Sequence, residues 1–114
     1  MPVVKSDKIE MKPVVMDQVK NVTKADTVGS PEGWPDHTMR LFRISAGGHT
    51  PRHQHDWEHV NYIVKGKGTL TIAGEKHELS AGDHAYVPPN VEHQFENPYE
   101  GDFEFLCIVP NRGA

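Results

Sequence analysis

The sequence has a single cysteine and no cluster of basic residues, and both absences exclude classes of protein. One cysteine, Cys107, cannot form a disulfide within the chain, which excludes the disulfide-rich small secreted domains and leads us to expect a cytoplasmic location. Twelve Lys and Arg stand against 16 Asp and Glu, giving a formal net charge of -4. We therefore expect no nucleic-acid partner and no anionic membrane partner.

Long apolar runs are also missing. No segment approaches the roughly 20 consecutive apolar residues of a transmembrane helix, and the first residues, MPVVKSDKIEMK, contain no signal-peptide core. The 114 residues fit one domain. Residues 1–38 are polar and weakly patterned, which predicts an N-terminal arm or strand plus loop. Residues 39–114 carry a regular pattern and are predicted to form the main domain.

The regular pattern is that of short strands. Ten glycines and nine prolines punctuate the chain, and between them β-branched and aromatic residues alternate with polar ones, which is typical of strands. The predicted strands cover residues 39–45, 57–64, 69–73, 76–80, 84–88, 91–97 and 103–110, and AGGHTP (46–51) is predicted to be a turn. This succession indicates an all-β sandwich or barrel.

Histidine is the residue type that stands out, with eight in the chain. His53 and His55 are two positions apart, so on a β-strand both imidazoles would lie on one face. His59 follows four positions later, and His93 lies on a separate predicted strand. Four imidazoles suit Mn, Fe, Co, Ni, Cu or Zn. The spacing alone is also consistent with surface imidazoles on a histidine-rich protein.

Two longer motifs around these histidines resemble those of the cupin superfamily. The first, G-x5-H-x-H-x3,4-E-x6-G, is matched in spacing from Gly47 to Gly66. The second, G-x5-P-x-G-x2-H-x3-N, is matched from Gly82 to Asn97. The short stretch between the motifs is similar to that of small single-domain cupins. The resemblance implies an antiparallel jelly-roll β-barrel for residues 39–114.

The chain departs from these motifs at two positions. Asn90 occupies the usual glycine position, where a positive φ is expected and asparagine tolerates it. His59 occupies the usual glutamate position, which makes the chain similar to small cupins with four histidine ligands, some of them manganese proteins. This resemblance implies one divalent transition metal per chain, with manganese expected and Fe, Cu, Ni, Co or Zn as alternatives. The implied ligands are His53, His55, His59 and His93. Glu58 is the alternative fourth ligand.

Inward-facing side chains next to this site would line a pocket. Phe95 lies two residues after His93, and Cys107 shares the parity of its neighbours on the last strand. Arg40 lies on an otherwise apolar strand face, where it either binds an anion at the barrel mouth or extends to the surface. The predicted pocket residues are Arg40, Phe95, Phe105, Cys107 and Val109. The candidate catalytic residues are Arg40, Glu58 and Cys107.

Three classes of function stay open at this stage. The first is a metal-dependent, dioxygenase-like oxidoreductase acting on a small, partly hydrophobic molecule. The second is a non-catalytic module that binds a metal or a small ligand, and the third is a metal-dependent lyase or isomerase similar to oxalate decarboxylase. We also expect a homodimer, because the open edges of a β-domain need cover and residues 1–38 are available to provide it.

Overall fold

The structure, a computed structural model, describes residues 2–114 and consists almost entirely of antiparallel strands. The strands are β1 (Lys12–Pro13), β2 (Lys20–Val28), β3 (His37–His49), β4 (His59–Lys65), β5 (Lys67–Ile72), β6 (Glu75–Ser80), β7 (His84–Val87), β8 (His93–Glu96) and β9 (Phe103–Pro110). Three short 3-10 turns cover Ser6–Lys8, Ser30–Glu32 and Asn111–Gly113. Within residues 2–114, no helix is long and apolar enough to cross a membrane.

The strands form one curled sheet in the order β6-β5-β8-β3-β9-β4-β7, with β2 on β3 and β1 on β2. β3 connects the two halves, because residues 37–44 pair with β9 and His49 pairs with Glu96 of β8. The predicted all-β, antiparallel jelly-roll fold is thereby confirmed.

The turn predicted at residues 46–51 is wrong for its first four residues, because β3 continues through His49. Hydrogen bonds hold the chain in the sheet there: the Gly47 amide donates to the Asn97 carbonyl at 2.8 Å and the Asn97 amide to the Gly48 carbonyl at 2.9 Å. A Cβ at Gly48 would collide with the Lys20 carbonyl and the Ile44 side chain. Gly48 therefore permits a close approach inside the sheet, Gly47 adopts a positive φ of 78°, and neither glycine ends the strand.

The segment between β3 and β4 is irregular, so the same-face geometry that a strand would give His53 and His55 does not apply. His53 forms only an isolated bridge with His93, and β4 begins at His59 and not at Trp57. The expected positive φ at Asn90 is confirmed at 63°. The Asn90 amide donates to the His55 carbonyl at 2.6 Å, so this turn supports the histidine segment.

The core lies between the two curved halves of the sheet. β9 shows strict alternation, with the side chains of Phe103, Phe105, Cys107 and Val109 buried. Within the first 38 residues, β2 pairs with β3 along most of its length. Ahead of β2, Val14 and Val19 pack against the core, so this N-terminal stretch helps to close one end of the barrel.

Candidate metal centre

One cavity of about 190 Å³ opens at this end of the barrel, and the four predicted histidine ligands line it. Its other walls are mainly apolar. They come from the N-terminal stretch, from β3 and β9, and from the segment before β4. The wall side chains include Val14, Met16, Val19, Phe42, Trp57, Phe95 and Phe105. The barrel thus presents imidazoles to a small, largely apolar space.

Three of the histidines are placed to bind one metal ion. Nitrogen atoms of His53, His55 and His93 all lie within 4.8 Å of one another. Backbone pairing fixes two of them, since the His53 amide donates to the His93 carbonyl at 3.2 Å and the His93 amide donates back at 2.9 Å. His55 is held from the other side by Asn90.

His59 faces the same cluster from the start of β4. It is only 4% exposed, its Nε2 lies 3.3 Å from the His93 Nε2, and its ring centroid lies 5.5 Å from that of His55. Two nitrogens bound at about 2.1 Å and at right angles around one ion would be about 3.0 Å apart. This spacing fits two ligands of one ion for the pair of His59 and His93, but His59 does not belong to the three-histidine group whose nitrogens all lie within 4.8 Å of one another.

Hydrogen bonds donated by Nδ1 set the tautomer of three of these imidazoles. His55 Nδ1 donates to the Trp57 carbonyl at 2.8 Å, His93 Nδ1 to the Val91 carbonyl at 2.9 Å, and His59 Nδ1 to the Asn61 Oδ1 at 2.7 Å. Since the acceptors are oxygens, the proton lies on Nδ1 and each Nε2 keeps its lone pair. At His59 and His93 these lone pairs face each other across 3.3 Å. Such a donor set suits a cation between them.

The electrostatics also keep the imidazoles neutral. Burial is the main cause that lowers the pKa of His53 to about 4, and His93 and His55 lower it further. Burial likewise lowers the pKa of His59 to about 3, although the hydrogen bond to Asn61 acts in the opposite direction. The pKa values of His55 and His93 are lowered, again mainly by burial. The four rings are therefore neutral at pH 7 and ready to act as ligands.

Four of the five predicted pocket residues line the cavity, and the fifth does not. Arg40, Phe95, Phe105 and Cys107 line the cavity, whereas Val109 is fully buried in the core and does not reach it. Glu58 is partly buried and is not among the cavity-lining residues. Cys107 accepts a hydrogen bond from Arg40 at 3.2 Å, but burial raises the pKa of its thiol.

Two residues of the site were not predicted as site residues from the sequence. Asn61 is fully buried and lies two positions after His59 on the same face of β4, and that spacing is the signal that could have found it. Trp57 stacks on His55 with ring centroids 4.2 Å apart and planes 5° apart. No sequence pattern predicts the contact between Gly113 and Trp57 that brings the C-terminal turn to the cavity.

A jelly-roll barrel with a histidine cluster at its open end defines a class of metal-site β-barrels, and sequence comparison agrees with this class. Residues 40–109 match the Cupin_2 family, described as the cupin domain. The chain therefore belongs to the cupin domain family. An uncharacterized protein of Methanocaldococcus jannaschii is 35% identical over 65 residues, which are 56% of this chain and 52% of that protein. The chain spans about half the length of the curated relatives it matches.

Solved structures agree with the fold. The polyketide cyclase RemF from Streptomyces resistomycificus is similar with a TM-score of 0.90 and 26% identity, covering 96% of this chain and 79% of that one. A predicted oxalate decarboxylase from Thermotoga maritima is similar with a TM-score of 0.85 and 23% identity, covering 96% of this chain and 98% of that one. The second likeness concerns the fold alone.

Proposed function

We propose that this cupin is a metal-dependent oxidoreductase that acts on a small, partly hydrophobic molecule. One divalent transition metal, with manganese expected, would be held by the Nε2 atoms of His53, His55, His59 and His93. The observation that carries the proposal is the cluster of neutral imidazoles that lines a mostly apolar cavity. Four neutral ligands leave the ion its full positive charge, which favours an oxygen ligand from a substrate.

The protein's own groups would orient and shield the site. A bound metal would supply Lewis-acid or redox chemistry. Asn61 and the carbonyl groups of Trp57 and Val91 hold three imidazole rings with Nε2 toward the site. The aromatic side chains Phe95 and Phe105, stacked with centroids 4.3 Å apart, exclude water from one wall and offer a flat apolar surface.

A redox-neutral reaction is the second candidate. It is supported by the 26% identity and the close structural likeness to a protein described as a polyketide cyclase. A lyase or isomerase reaction belongs to this same redox-neutral class. A non-catalytic binding module is the third candidate, and it is supported by the position of Glu58, a candidate catalytic carboxylate, outside the cavity lining.

Metal content and metal preference would test these proposals. Protein purified without affinity tags or chelators should contain about one transition-metal ion per chain, and alanine variants of the four cluster histidines should lose it. His77→Ala and His84→Ala are matched controls, since both side chains are exposed and lie outside the cluster. No metal after purification and no uptake on titration would contradict the metal site.

The reaction class is decided with metal-free protein reloaded with different ions. An oxidoreductase should consume O2 with substrate when it holds Mn, Fe or Cu, and should be inactive with Zn, which has no redox chemistry. Turnover with Zn and without O2 uptake would favour the redox-neutral candidate. Ligand binding without turnover for every ion would favour the binding module.

We also propose that two copies form a homodimer and that the protein acts in the cytoplasm. Support for the dimer comes from an apolar strip on the outer face of β4 and β7, formed by Val60, Tyr62, Val64 and Tyr86, each between 42% and 56% exposed. Val60 pairs with Tyr86 across the two strands, so the strip is continuous. None of the four carries a charge, so two strips can face each other without like-charge repulsion.

A further inference from the structure

We propose that Arg40 forms a carboxylate-binding end of the cavity and that the ligand is a small carboxylic acid with a flat apolar body. The inference rests on the proposed function, because it names the substrate class of the same cavity. Three observations carry it: the hydrogen-bonding state of the guanidinium, the absence of an ion pair to it within residues 2–114, and the aromatic wall that leads from it to the histidines.

The Arg40 guanidinium is poorly satisfied by the protein. Its Nη2 donates to the Cys107 Sγ at 3.2 Å, and its Nη1 donates to the Gly113 carbonyl at 3.4 Å. Sulfur is a weak acceptor, and the second bond is long. The Nε is buried and has no hydrogen-bond partner within residues 2–114. Three of the five N–H donors of this side chain therefore make no hydrogen bond within residues 2–114: the buried Nε–H and one on each Nη.

No carboxylate forms an ion pair with Arg40 in the part of the chain that the structure describes, although the exposed Asp26 is its cross-strand neighbour on β2. The other arginines of β3 and of the histidine segment are paired, since Arg43 contacts Glu104 at 3.3 Å and Arg52 contacts Glu92 at 2.8 Å. Arg40 is the exception, although it lines an apolar cavity where an unpaired charge is costly. A bound anion would offset that cost, and the planar fork of a guanidinium matches a carboxylate with two parallel hydrogen bonds.

An aromatic wall connects Arg40 to the metal ligands. The guanidinium lies 5.0 Å from the ring centroid of Phe42. The wall continues through successive near-parallel rings: Phe42 to Phe105 at 5.3 Å and 13°, and Phe105 to Phe95 at 4.3 Å and 20°. Phe95 in turn lies 6.3 Å from the His59 ring. A flat apolar body fits along this wall by stacking, with its carboxylate at Arg40 and its other end toward the imidazoles.

Benzoate and benzamide provide a matched pair of probes, because they share size and shape and differ in charge. We would measure both by calorimetry on metal-free and manganese-loaded protein. Wild type should bind benzoate about tenfold more tightly than benzamide, or better, with or without metal. Arg40→Met should abolish that preference and still take up one metal ion. Arg43→Met is the control, because Arg43 is ion-paired and does not line the cavity, and it should keep the preference.

Equal affinity for the two probes in wild type, or an unchanged preference in Arg40→Met, would overturn the inference. A preference that needs metal and survives Arg40→Met would place the carboxylate on the ion, which contradicts this inference and leaves the proposed function intact. If wild type takes up no metal but keeps a benzoate preference that Arg40→Met abolishes, the proposed function is contradicted and this inference stands. If Arg40→Met does not fold, phenylglyoxal modification of wild-type Arg40 decides, since benzoate and not benzamide should protect it; absence of protection overturns the inference.

Discussion

The imidazole of His59 donates from Nδ1 to the Oδ1 of Asn61 at 2.7 Å, inside the barrel and away from water. The amide of Asn61 is itself oriented, since its Nδ2 donates to the Leu106 carbonyl at 3.2 Å. The hydrogen bond to Leu106 on β9 thus holds Asn61, and Asn61 fixes the direction in which the His59 Nε2 points. An outer hydrogen bond of this kind fixes ring orientation and increases ligand basicity.

Asn61→Leu should therefore weaken metal binding about tenfold to a hundredfold. The variant should also be destabilised by about 1–3 kcal/mol, because a buried imidazole N–H and a carbonyl lose their partner. Metal titration and urea unfolding measure the two effects. Asn61→Asp keeps the acceptor and should retain the metal. Equal metal affinity in Asn61→Leu and wild type would show that the pair does not support the site.

Exchange of His59 tests the fourth ligand. His59→Glu places a negative charge beside the ion, so divalent metal should stay bound and affinity for an anionic oxygen ligand should fall. His59→Ala should loosen the metal, since only water can replace the lost donor. Glu58→Ala is the matched control and should leave metal occupancy unchanged. Metal loss in Glu58→Ala with normal occupancy in both His59 variants would assign the fourth ligand to Glu58.

Acid should destabilise the metal-free protein through its histidine cluster. Burial lowers the pKa of His59 to about 3 and of His53 to about 4 in the folded chain, whereas the unfolded value is about 6.5. At pH values between the folded and the unfolded pKa of each histidine, the unfolded state binds protons that the folded state does not. The stabilising contribution is therefore complete above about pH 6.5 and is lost as the pH falls toward 4.

Urea unfolding of chelator-treated protein at several pH values measures this loss. His59→Asn removes one buried imidazole, so its stability should depend less on pH between 6.5 and 4 than that of wild type. Removing metal from wild type at pH 7 should lower the unfolding midpoint, because metal binds the folded state. Parallel pH profiles for wild type and His59→Asn would contradict the role of His59.

Cys107 should resist alkylation in the folded protein. Burial raises the pKa of its thiol, although the Arg40 guanidinium opposes the shift, and only the thiolate is an efficient nucleophile. Labelling with iodoacetamide at pH 8 should be slow in buffer and fast in urea, as measured by mass spectrometry. Rapid labelling under native conditions would show that the thiol is accessible and ionised.

The dimer proposal predicts about twice the chain mass of 12.8 kDa by light scattering. Tyr62→Glu and Tyr86→Glu introduce charge into the apolar strip and should produce monomers. Val15→Glu is the control, because Val15 is 91% exposed and lies outside the strip. A wild-type mass of one chain, or dissociation by Val15→Glu alone, would contradict this interface.

The sequence alone determined most of the strand pattern from β3 to β9 and put forward the candidate histidines His53, His55 and His59. Those features are local, since strand alternation and the distances between His53, His55 and His59 are written in consecutive residues. The H-x-H pair converges although its backbone is not a strand, because His53 bridges to His93 and the His55 carbonyl is held by the Asn90 amide. The inward direction of His59 was predictable from register, which a one-residue slip would reverse.

Only the tertiary structure decided what surrounds those histidines. β2 was hidden in a polar stretch because its strand character depends on pairing with β3, which begins nine residues after β2 ends. The Asn61 amide on the Leu106 carbonyl, the Arg40 guanidinium on the Cys107 thiol and the Phe42 ring on Phe105 are contacts between separate strands. Such contacts depend on how the sheet curls and where the chain ends pack, and no periodicity in the sequence encodes that curvature.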